Sequence, residues 1–538
     1  MTTSRRDALT LALAGAAGIA MPGRAAASEP CAPAPRQRPG IEGQRRADLG
    51  NGRFLNPVLS GDRPDPNILK DGDDYYASYS STLYYPGIVI WHSRDLVNWT
   101  PIGPALTKYI GSVWALDLVK HDGRYFIYIP VYDPAVSSPR GPFKNYVIHA
   151  ESMRGPWSDP IDLDLIGYID PGHVVGEDGK RYLFLNDGHR VKLSANGLRR
   201  DGPVEQVYAG WPIPADWVIE APAHEGPKLL RHNGYFYLFS GQGGTAGPPT
   251  SHMVVVARSP FIDGPWENCP HNPIVRTASA AEPWWSRGHA TPVQGPAGDW
   301  WMVYHAYENG YRTLGRQMLI EPFEWTKDGW PRATGGTLDR LLPKPKGAAA
   351  GAHGFPLSTD FSEPMLGTRL AFYDPKPGYL DRASVEGASL LLKGQGTGPA
   401  GSSPLAFITG DRSYEVSVDI ELEGAAEAGL LVWYNDKLFC GLGTNGEWLR
   451  TYKTGANSTY PPPGPAAGRR FAIRIVNDAN VTSHFIRPHG GEWRKVIDYE
   501  VAGYNHNMAD GFLSLRPAVY ASGEGSARFR SLSYKARG

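Results

Sequence analysis

The chain alternates hydrophobic and polar positions in a unit that recurs five times over about its first 340 residues. Each unit has one polar or charged residue at its start, a short apolar stretch, a turn that contains glycine, and a run of alternating aromatic residues. The starting residues are Asp65, Asp117, Asp170, Glu225 and His289. They are spaced by roughly 50 to 65 residues, a period that indicates a repeat architecture.

Each unit predicts a β-hairpin, because a glycine step such as Asp71-Gly72 or Asn233-Gly234 separates the apolar stretch from the aromatic run. Units of this length fit four-stranded blades around a central channel, so five of them predict a five-bladed β-propeller over residues 50–343. Since every unit begins on the equivalent strand, the starting side chains are expected to converge near the axis.

A different pattern follows the fifth unit. Residues 344–354 are rich in proline, lysine, glycine and alanine and are interpreted as a linker. Beyond them, the segments 414–422, 430–434, 471–476 and 529–534 alternate apolar and polar positions, which predicts strands with one buried face each. The chain is therefore predicted to be all-β, with a propeller followed by a β-sandwich over residues 355–538.

The N-terminal residues are interpreted as a targeting segment. Arg5 and Arg6 precede an apolar run over 8–21, and small residues follow at 25–27. This pattern predicts a twin-arginine-type signal peptide over 1–27, then an extension over 28–49, and a periplasmic or extracellular mature chain. The apolar run is shorter than the roughly 20 residues that span a bilayer, so no membrane association of the mature form is expected.

Charge and cysteine content narrow the candidate functions. Lys and Arg number 54 and so do Asp and Glu, so no net field favours nucleic acid, and a neutral ligand is expected. The three cysteines, Cys31, Cys269 and Cys440, are far apart in the sequence. They predict neither a disulfide framework nor a thiolate metal site.

Converging carboxyl groups suit the hydrolysis of glycosidic bonds. One carboxylic acid protonates the leaving oxygen and a second carboxylate activates water, and in inverting enzymes the two stand about 6.5 to 9.5 Å apart. Alternatively, the five starting residues are turn positions of a structural repeat. A structural position would be expected to keep one residue type, whereas the fourth unit has Glu225 and the fifth has His289.

An ordered set of motifs resembles the blade motifs of glycoside hydrolase family 43. The motifs are Asn56–Leu59, Asp62–Pro66, Trp114–Asp117, Glu225–Lys228, Gly288–Pro292 and Gly315–Gln317, and the resemblance covers roughly residues 50–340. It implies that Asp65 is the general base, that Glu225 is the general acid, and that Asp117 orients the acid and raises its pKa. It also implies inversion of the anomeric configuration.

The resemblance implies further site residues. His289 corresponds to a channel histidine that binds a calcium ion or a water cluster in several relatives, so a structural calcium is considered, although no cofactor is expected to be required. Arg316 corresponds to an arginine that contacts a substrate hydroxyl. Trp114 and Trp91 are candidates to stack on a sugar face, since sugar rings present apolar C–H faces to aromatic rings.

Some positions depart from the family pattern or compete with it. Leu116 and Ala290 stand where relatives often have proline and glycine. Asp170 starts the third unit but matches no usual catalytic role. Glu220, five residues before Glu225, is a rival acid outside the repeat register.

The resulting hypothesis is an exo-acting hydrolase that releases terminal α-L-arabinofuranose or β-D-xylose from arabinoxylan-type plant cell-wall carbohydrate. The C-terminal region resembles the concanavalin A-like, jelly-roll domain of such relatives, a loop of which can close one side of the pocket. A carbohydrate-binding module and a purely stabilising domain are alternatives for this region. An endo-arabinanase of the same fold and a noncatalytic glycan-binding propeller are the alternatives for the whole chain, and the oligomeric state stays open.

Overall fold

Five antiparallel sheets follow one another along the chain, each made of consecutive strands. The computed structural model describes residues 35–348, 351–363, 365–458, 460, 462 and 464–538. The predicted signal peptide over 1–27 and Cys31 lie outside these residues, as do residues 28–34 of the predicted extension. No helix among the described residues has the length and apolar character needed to cross a membrane.

The five sheets are the blades of a propeller. Blade 1 consists of Asn67–Asp71, Asp74–Ser78, Gly87–Ser93 and Thr100–Leu106. Blade 2 consists of Asp117–His121, Arg124–Tyr132, Phe143–Ala150 and Ile161–Ile166, with Ser112–Val113 added. Blade 3 consists of Gly172–Val175, Arg181–Leu185, His189–Leu193 and Arg200–Gln206. Blade 4 consists of His224–His232, Tyr235–Gln242, Met253–Ser259 and Glu267–Asn268, with Val275–Arg276 added, and blade 5 of Trp284–Gln294, Trp300–Glu308, Arg316–Trp325 and Pro331–Ala333.

The ends of the propeller segment are joined by a short strand pair. Arg53–Phe54 pairs with Leu342–Pro343, so that Phe54 stands opposite Leu342. Phe54 is fully buried and packs on Trp301 of blade 5 at 6.0 Å between ring centroids. Burying such a side chain contributes about 1.5 to 3 kcal/mol. Lys344, at the start of the predicted linker, forms ion pairs with Asp48 and Asp95.

The C-terminal region is built on two long strands, Ser413–Asn435 and Arg516–Ala536, which pair with each other over most of their length. Buried and partly exposed positions alternate along 413–422, as the sequence predicts. The other strands are Ala371–Tyr373, Ala383–Val385, Leu390–Lys393, Leu405–Ala406, Leu438–Thr444, Trp448–Lys453, Ala456–Asn457, Gly464–Pro465, Arg470–Asp478, Val481–Pro488 and Arg494–Glu500. The prediction of an all-β chain with a five-bladed propeller and a second, sheet-rich region is confirmed.

The propeller and the C-terminal region share a sheet and a hydrophobic core. The strand Tyr84–Tyr85, between the second and third strands of blade 1, pairs with Phe372–Tyr373. One cluster of buried side chains runs from Ile127 of blade 2 to Val432 of the long C-terminal strand. The remaining short elements are strands Arg38–Pro39 and Arg45–Arg46 and 3-10 helices Ile41–Gly43, Asn186–Gly188, Arg312–Leu314, Tyr379–Arg382 and Pro399–Gly401.

The described part of the N-terminal extension contacts both regions. Arg45 donates hydrogen bonds to Glu308 of blade 5 and, through Nε, to the carbonyl oxygen of Gly410. The carboxylate of Glu42 accepts hydrogen bonds from the backbone N–H groups of Leu357 and Ser358. Because one short segment bonds to both regions, the propeller and the C-terminal sheet are held in a defined relative position.

Candidate active site

A cavity of about 780 Å³ is lined by propeller residues on most sides and by a loop of the C-terminal region on another. Four starting residues of the repeat reach it, and they are Asp65, Asp170, Glu225 and His289. Three of them have left-handed backbone conformations, with φ of 54° at Asp65, 58° at Asp170 and 60° at His289. Such strained backbone occurs where the fold must aim a side chain, and it is frequent at functional sites.

Asp65 is held as a carboxylate. Its Oδ1 accepts a 2.7 Å hydrogen bond from Nη1 of Arg316, and its Oδ2 accepts a 2.5 Å hydrogen bond from the hydroxyl of Ser80. Burial by itself would raise the pKa of Asp65, but the guanidinium of Arg316, its foremost charged partner, opposes burial and holds that pKa well below its usual range. A carboxylate that stays ionised in a dry pocket can accept a proton from water.

His305 is fixed in one neutral form beneath Asp65. Its Nδ1 accepts the backbone N–H of Asp65 at 2.9 Å, so its proton is on Nε2, which lies 3.1 Å from the hydroxyl oxygen of Thr245. Burial lowers the pKa of His305 to about 3, in agreement with a neutral ring. Thr245 lines the cavity and accepts from this ring, so its own hydroxyl proton is free to donate to a ligand.

Glu225 and Asp170 are neighbouring carboxyl groups, and the charge of Glu225 acts on Asp170. Oδ2 of Asp170 accepts a 2.9 Å hydrogen bond from the backbone N–H of Gly226, next to Glu225. Burial, and then the charges of Glu225 and Asp65, raise the pKa of Asp170 well above its usual value. Burial also favours the protonated form of Glu225, but the imidazole of His252, whose Nε2 lies 3.0 Å from its Oε1, outweighs burial and lowers the pKa to about 2. Asp170 is therefore the member of this pair that binds a proton more readily.

The structure corrects the sequence prediction for Asp117, which does not line the cavity. Its Oδ1 accepts 2.8 Å hydrogen bonds from Nζ of Lys228 and from the side-chain amide of Asn67, and its Oδ2 accepts the backbone N–H of His173. An aspartate paired with a buried lysine is compensated in charge, so it adds little repulsion to a neighbouring acid.

Strand register explains this placement. Asp65 and Asp170 each precede the first strand of their blade by two residues, whereas Asp117 is the first residue of its strand. Asp117 is thus equivalent to Asn67, and the residue of the second unit equivalent to Asp65 is Ala115, which lines the cavity. The repeat is aligned correctly to within two residues, and this offset changes which side chain faces the site.

The two predicted tryptophans have different positions. Trp114 lines the cavity and packs edge-on against Phe512 of the C-terminal region at 6.0 Å between ring centroids. Trp91 is a buried core residue that contacts Phe355 and the guanidinium of Arg63. Trp91 does not line the cavity, so the prediction that it stacks on a sugar is wrong. Its position on a central blade strand points the ring into the core.

The rival acid Glu220 also lies outside the cavity lining. One of its carboxylate oxygens accepts the backbone N–H groups of Ala246 and Gly247 at 2.6 and 3.0 Å. These bonds give Glu220 a local role in ordering the loop that carries Thr245. Glu225 is accordingly the glutamate that the fold brings to Asp65 and Asp170.

The surroundings of His289 do not fit a calcium ion. Its ring faces the main chain of Gly226, where a Cβ added to the glycine would lie 2.8 Å from the ring, and burial lowers its pKa to about 4. Calcium takes six to eight oxygen ligands, whereas the groups near His289 are the imidazole of His305 and the carboxylate of Asp65, which already accepts hydrogen bonds from Arg316 and Ser80. Among the residues that the structure describes, no group of three His, Cys, Asp or Glu side chains is arranged to hold a metal.

A loop of the C-terminal region completes the wall. Asp510, Gly511, Phe512 and Leu513 line the cavity, and the guanidinium of Arg316 lies 5.3 Å from the ring centre of Phe512. No role is predicted from the sequence for Asp170, Ser80, Thr245, His252 or Phe512. Asp170 can be recognised in the sequence because it starts the third repeat unit. The others reach the site only through long-range contacts, so no local sequence pattern identifies them.

Comparison with known proteins gives a consistent result. The family model for glycosyl hydrolases family 43 matches residues 54–331. A xylan 1,3-β-xylosidase of Vibrio sp. is 34% identical over 317 residues, which cover 52% of this chain and 58% of that protein. A non-reducing end α-L-arabinofuranosidase of Bacteroides ovatus is 28% identical over 522 residues, which cover 89% of this chain and 93% of that protein.

A solved structure extends the similarity to the C-terminal region. The crystal structure of a family 43 protein from Bacillus licheniformis matches with a TM-score of 0.80 and 25% identity, and the match covers 90% of this chain and all of that one. The chain spans somewhat less than two thirds of several curated relatives, such as a β-xylosidase of Bacillus subtilis of which it covers 57%.

Proposed function

The chain belongs to family 43 of the glycosyl hydrolases, and we propose that it is an exo-acting, inverting enzyme that releases terminal pentose residues from arabinoxylan-type plant carbohydrate. The observation that carries this proposal is the convergence of Asp65, Asp170 and Glu225 in one cavity. The pKa of one carboxyl group there is lowered and that of another is raised, and a pair of carboxyl groups with separated pKa values is what acid and base catalysis on a glycosidic bond requires.

Asp65 acts as the general base. With Oδ1 bonded to Arg316 and Oδ2 to Ser80, the carboxylate is fixed in orientation. A water molecule attacks the anomeric carbon, its proton passes to Asp65, and the bond from the anomeric carbon to the leaving oxygen breaks. No bond forms between the sugar and the enzyme, so the anomeric configuration inverts.

Glu225 acts as the general acid and donates its proton to the leaving oxygen. In the free pocket Asp170 binds a proton more readily than Glu225 does. A sugar that fills the cavity excludes water, and burial is the largest influence on the pKa of Glu225 and favours its protonated form. We infer that Glu225 is protonated in the substrate complex, where a negative charge on Asp170 opposes the loss of its proton. After turnover, Asp65 loses its proton to solvent and Glu225 regains one.

The shape and lining of the cavity support removal of terminal sugars. The loop 510–513 closes one side, which leaves room for a chain end more readily than for a continuous polymer, and disfavours an endo-arabinanase. Trp114 offers an apolar face for a sugar ring. Asp133, Asp374 and Asp510 lie around the cavity, and among the described residues its lining contains a single basic residue that is charged at neutral pH, Arg316. Such a lining suits a neutral pentose.

The names of relatives support two pentoses. One relative is named as a non-reducing end α-L-arabinofuranosidase and others as β-xylosidases. We propose α-L-arabinofuranose or β-D-xylose as the sugar released. A noncatalytic glycan-binding propeller is the weaker alternative, because binding alone requires no ionised base beside a protonated acid.

The test is release of 4-nitrophenol from the α-L-arabinofuranoside and the β-D-xyloside. The wild type is expected to hydrolyse at least one of them, and Glu225→Gln is expected to lose about 10²-fold or more in kcat on natural oligosaccharides, whose leaving groups need protonation. Glu220→Gln is the matched control and is expected to stay within a few-fold of wild type. Absence of hydrolysis by the wild type, or full activity of Glu225→Gln on oligosaccharides, contradicts the proposal.

A further inference from the structure

The residue that forms a buried ion pair with the propeller lies just after the C-terminal loop that lines the cavity. Arg516, three residues beyond Leu513, donates a 2.9 Å hydrogen bond from Nη2 to Oδ2 of Asp62. The exposed fractions of the two side chains are 7% and 1%. Nε of Arg516 is held by the hydroxyl of Ser514, and its guanidinium lies 3.7 Å from the ring centre of Tyr84. The pair is therefore fixed in orientation and shielded from water.

The second oxygen of Asp62 contacts the main chain of the site arginine. Oδ1 of Asp62 accepts the backbone N–H of Arg316 at 3.2 Å. The carboxylate approaches closely because position 315 is glycine. Gly315 has φ of 75°, and a Cβ there would lie 2.3 Å from Oδ1 of Asp62. The carbonyl oxygen of Arg316 in turn accepts the backbone N–H of Arg63 at 2.7 Å.

These contacts form one continuous chain from the C-terminal region to the base. Arg516 holds Asp62, Asp62 holds the backbone of Arg316, and Nη1 of Arg316 holds Oδ1 of Asp65 at 2.7 Å. A second link ties the same loops together, since the backbone N–H of Leu515 donates to the carbonyl oxygen of Thr313. The C-terminal region thus contributes to the position of the Arg316 backbone, which is also paired with Tyr307 in blade 5.

We propose that Arg516 is a positioning residue for the catalytic base, so that the C-terminal region belongs to the catalytic machinery as well as to the pocket wall. This inference rests on the proposed function, in which Asp65 activates water. Arg516 acts through Asp62 and Arg316 and does not touch substrate. A displacement of about 1 Å in a positioned group lowers the rate of a reaction by about 10²-fold, so a small shift of Arg316 is sufficient.

A purely stabilising ion pair would have different consequences. Its loss would lower the free energy of unfolding and leave kcat of the folded enzyme unchanged. Loss of a positioning residue lowers kcat and also moves the acid limb of the kcat/KM profile to higher pH, because Arg316 is the foremost charged partner that keeps Asp65 ionised. The other groups facing Asp65 are His289, His305 and the carboxyl groups of Glu225 and Asp170, and all of these remain in the variant.

The experiment compares Arg516→Met and Arg516→Lys with Tyr379→Phe. The control removes another hydrogen bond between the two regions, the 2.6 Å bond from Tyr379 to the carbonyl oxygen of Thr107, without touching Asp62. Arg516→Met is expected to lose about 10- to 100-fold in kcat with an upward shift of the acid limb. Arg516→Lys is expected to fall between Arg516→Met and wild type, and Tyr379→Phe to keep wild-type kcat.

Two further measurements keep the outcome decisive. Arg516→Met leaves Asp62 buried without its partner, so the double variant Asp62→Asn/Arg516→Met, which removes both charges, replaces it if the single variant does not fold. A crystal structure of either variant measures the distance from Nη1 of Arg316 to Oδ1 of Asp65 independently of activity. An unchanged distance, or wild-type kcat in a folded variant, overturns the proposal, whereas an inactive wild type contradicts only the proposed function.

Discussion

The backbone N–H of Gly226 donates a 2.9 Å hydrogen bond to Oδ2 of Asp170, which places that carboxyl group next to the residue that follows Glu225. The bond joins blades 3 and 4 at the cavity and accounts for the role of the third repeat unit. Asp170 shares the environment of the acid, and both its burial and the charge of Glu225 raise its pKa. Asp170, in place of Asp117, therefore orients Glu225 and modulates its pKa in the proposed mechanism.

The first prediction separates the two aspartates by activity. Asp170→Asn is expected to lower kcat on xylo- or arabino-oligosaccharides by about 10²- to 10³-fold, because the acid loses the neighbour that opposes its ionisation. Asp117→Asn is expected to keep kcat within about 10-fold of wild type. Steady-state kinetics of the two purified variants tests this. Equal losses of kcat in both variants would show that Asp117 also takes part in catalysis.

The second prediction concerns stability. Asp117→Ala leaves Lys228 buried without its ion-pair partner, and loss of one member of a buried pair costs about 3 to 5 kcal/mol. Urea unfolding of Asp117→Ala at neutral pH is expected to show a loss of this order. Thr313→Ala, which removes a side-chain hydrogen bond to Asn480 away from this pair, is the control with a smaller loss.

The third prediction is a pH dependence of stability caused by Asp170. Its folded pKa is raised, so above the ordinary value near 3.8 the folded protein retains a proton that the unfolded chain loses. Stability is therefore lost as pH rises from that value toward the raised pKa, at about 1.4 kcal/mol per pKa unit. Asp170→Asn keeps an acceptor for Gly226 and is expected to be more stable than wild type at pH 7 and equally stable near pH 3.5.

The measurement for this third prediction is thermal unfolding of wild type and Asp170→Asn at both pH values. A Tm of the variant that does not exceed that of wild type at pH 7 would show that Asp170 carries no retained proton. If Asp170→Asn is more stable but less active than wild type, Asp170 lowers the stability of the folded protein in order to serve catalysis.

The fourth prediction separates the two tryptophans. Trp114→Ala is expected to raise KM by about 10-fold or more, because a sugar-facing ring is lost, with a modest effect on stability. Trp91→Ala is expected to lower the free energy of unfolding by about 3 to 5 kcal/mol, because the ring is buried in the core, and to leave KM of the folded enzyme unchanged. Steady-state kinetics and denaturant unfolding of both variants test this. A raised KM in Trp91→Ala together with a large loss of stability in Trp114→Ala would contradict the prediction.

The fifth prediction tests the wall that the C-terminal region supplies. Phe512→Ala opens one side of the cavity and removes a contact with both Trp114 and Arg316. The variant is expected to lose about 10- to 100-fold in kcat/KM on the 4-nitrophenyl glycoside that wild type prefers. Trp448→Ala, which removes an exposed ring of the same region, is the control. If the two variants behave alike, the loop has no part in substrate binding.

Local sequence patterns were sufficient to reveal the repeat, the number of blades and most of the converging residues. Turn chemistry and alternation carry this information, because a hairpin with a glycine turn needs only neighbouring residues. The repeat predicts that Asp65 and Glu225 converge, whereas their catalytic roles, like the role of Arg316, follow from the family motifs. The same local signal placed Asp117 in the site, because a repeat pattern does not resolve a strand start to within two residues.

Packing in three dimensions was needed to establish which side chains face the cavity and which groups surround them. Strand register determines that Asp170, and not Asp117, lies beside Glu225, and the packing of blade 1 buries Trp91. The ion pair of Arg516 with Asp62 joins residues that are more than 400 positions apart in the sequence. The pKa values of the carboxyl groups depend on such neighbours and on exclusion of water. Contacts of this kind are made in space between distant segments, so no local pattern in the sequence encodes them.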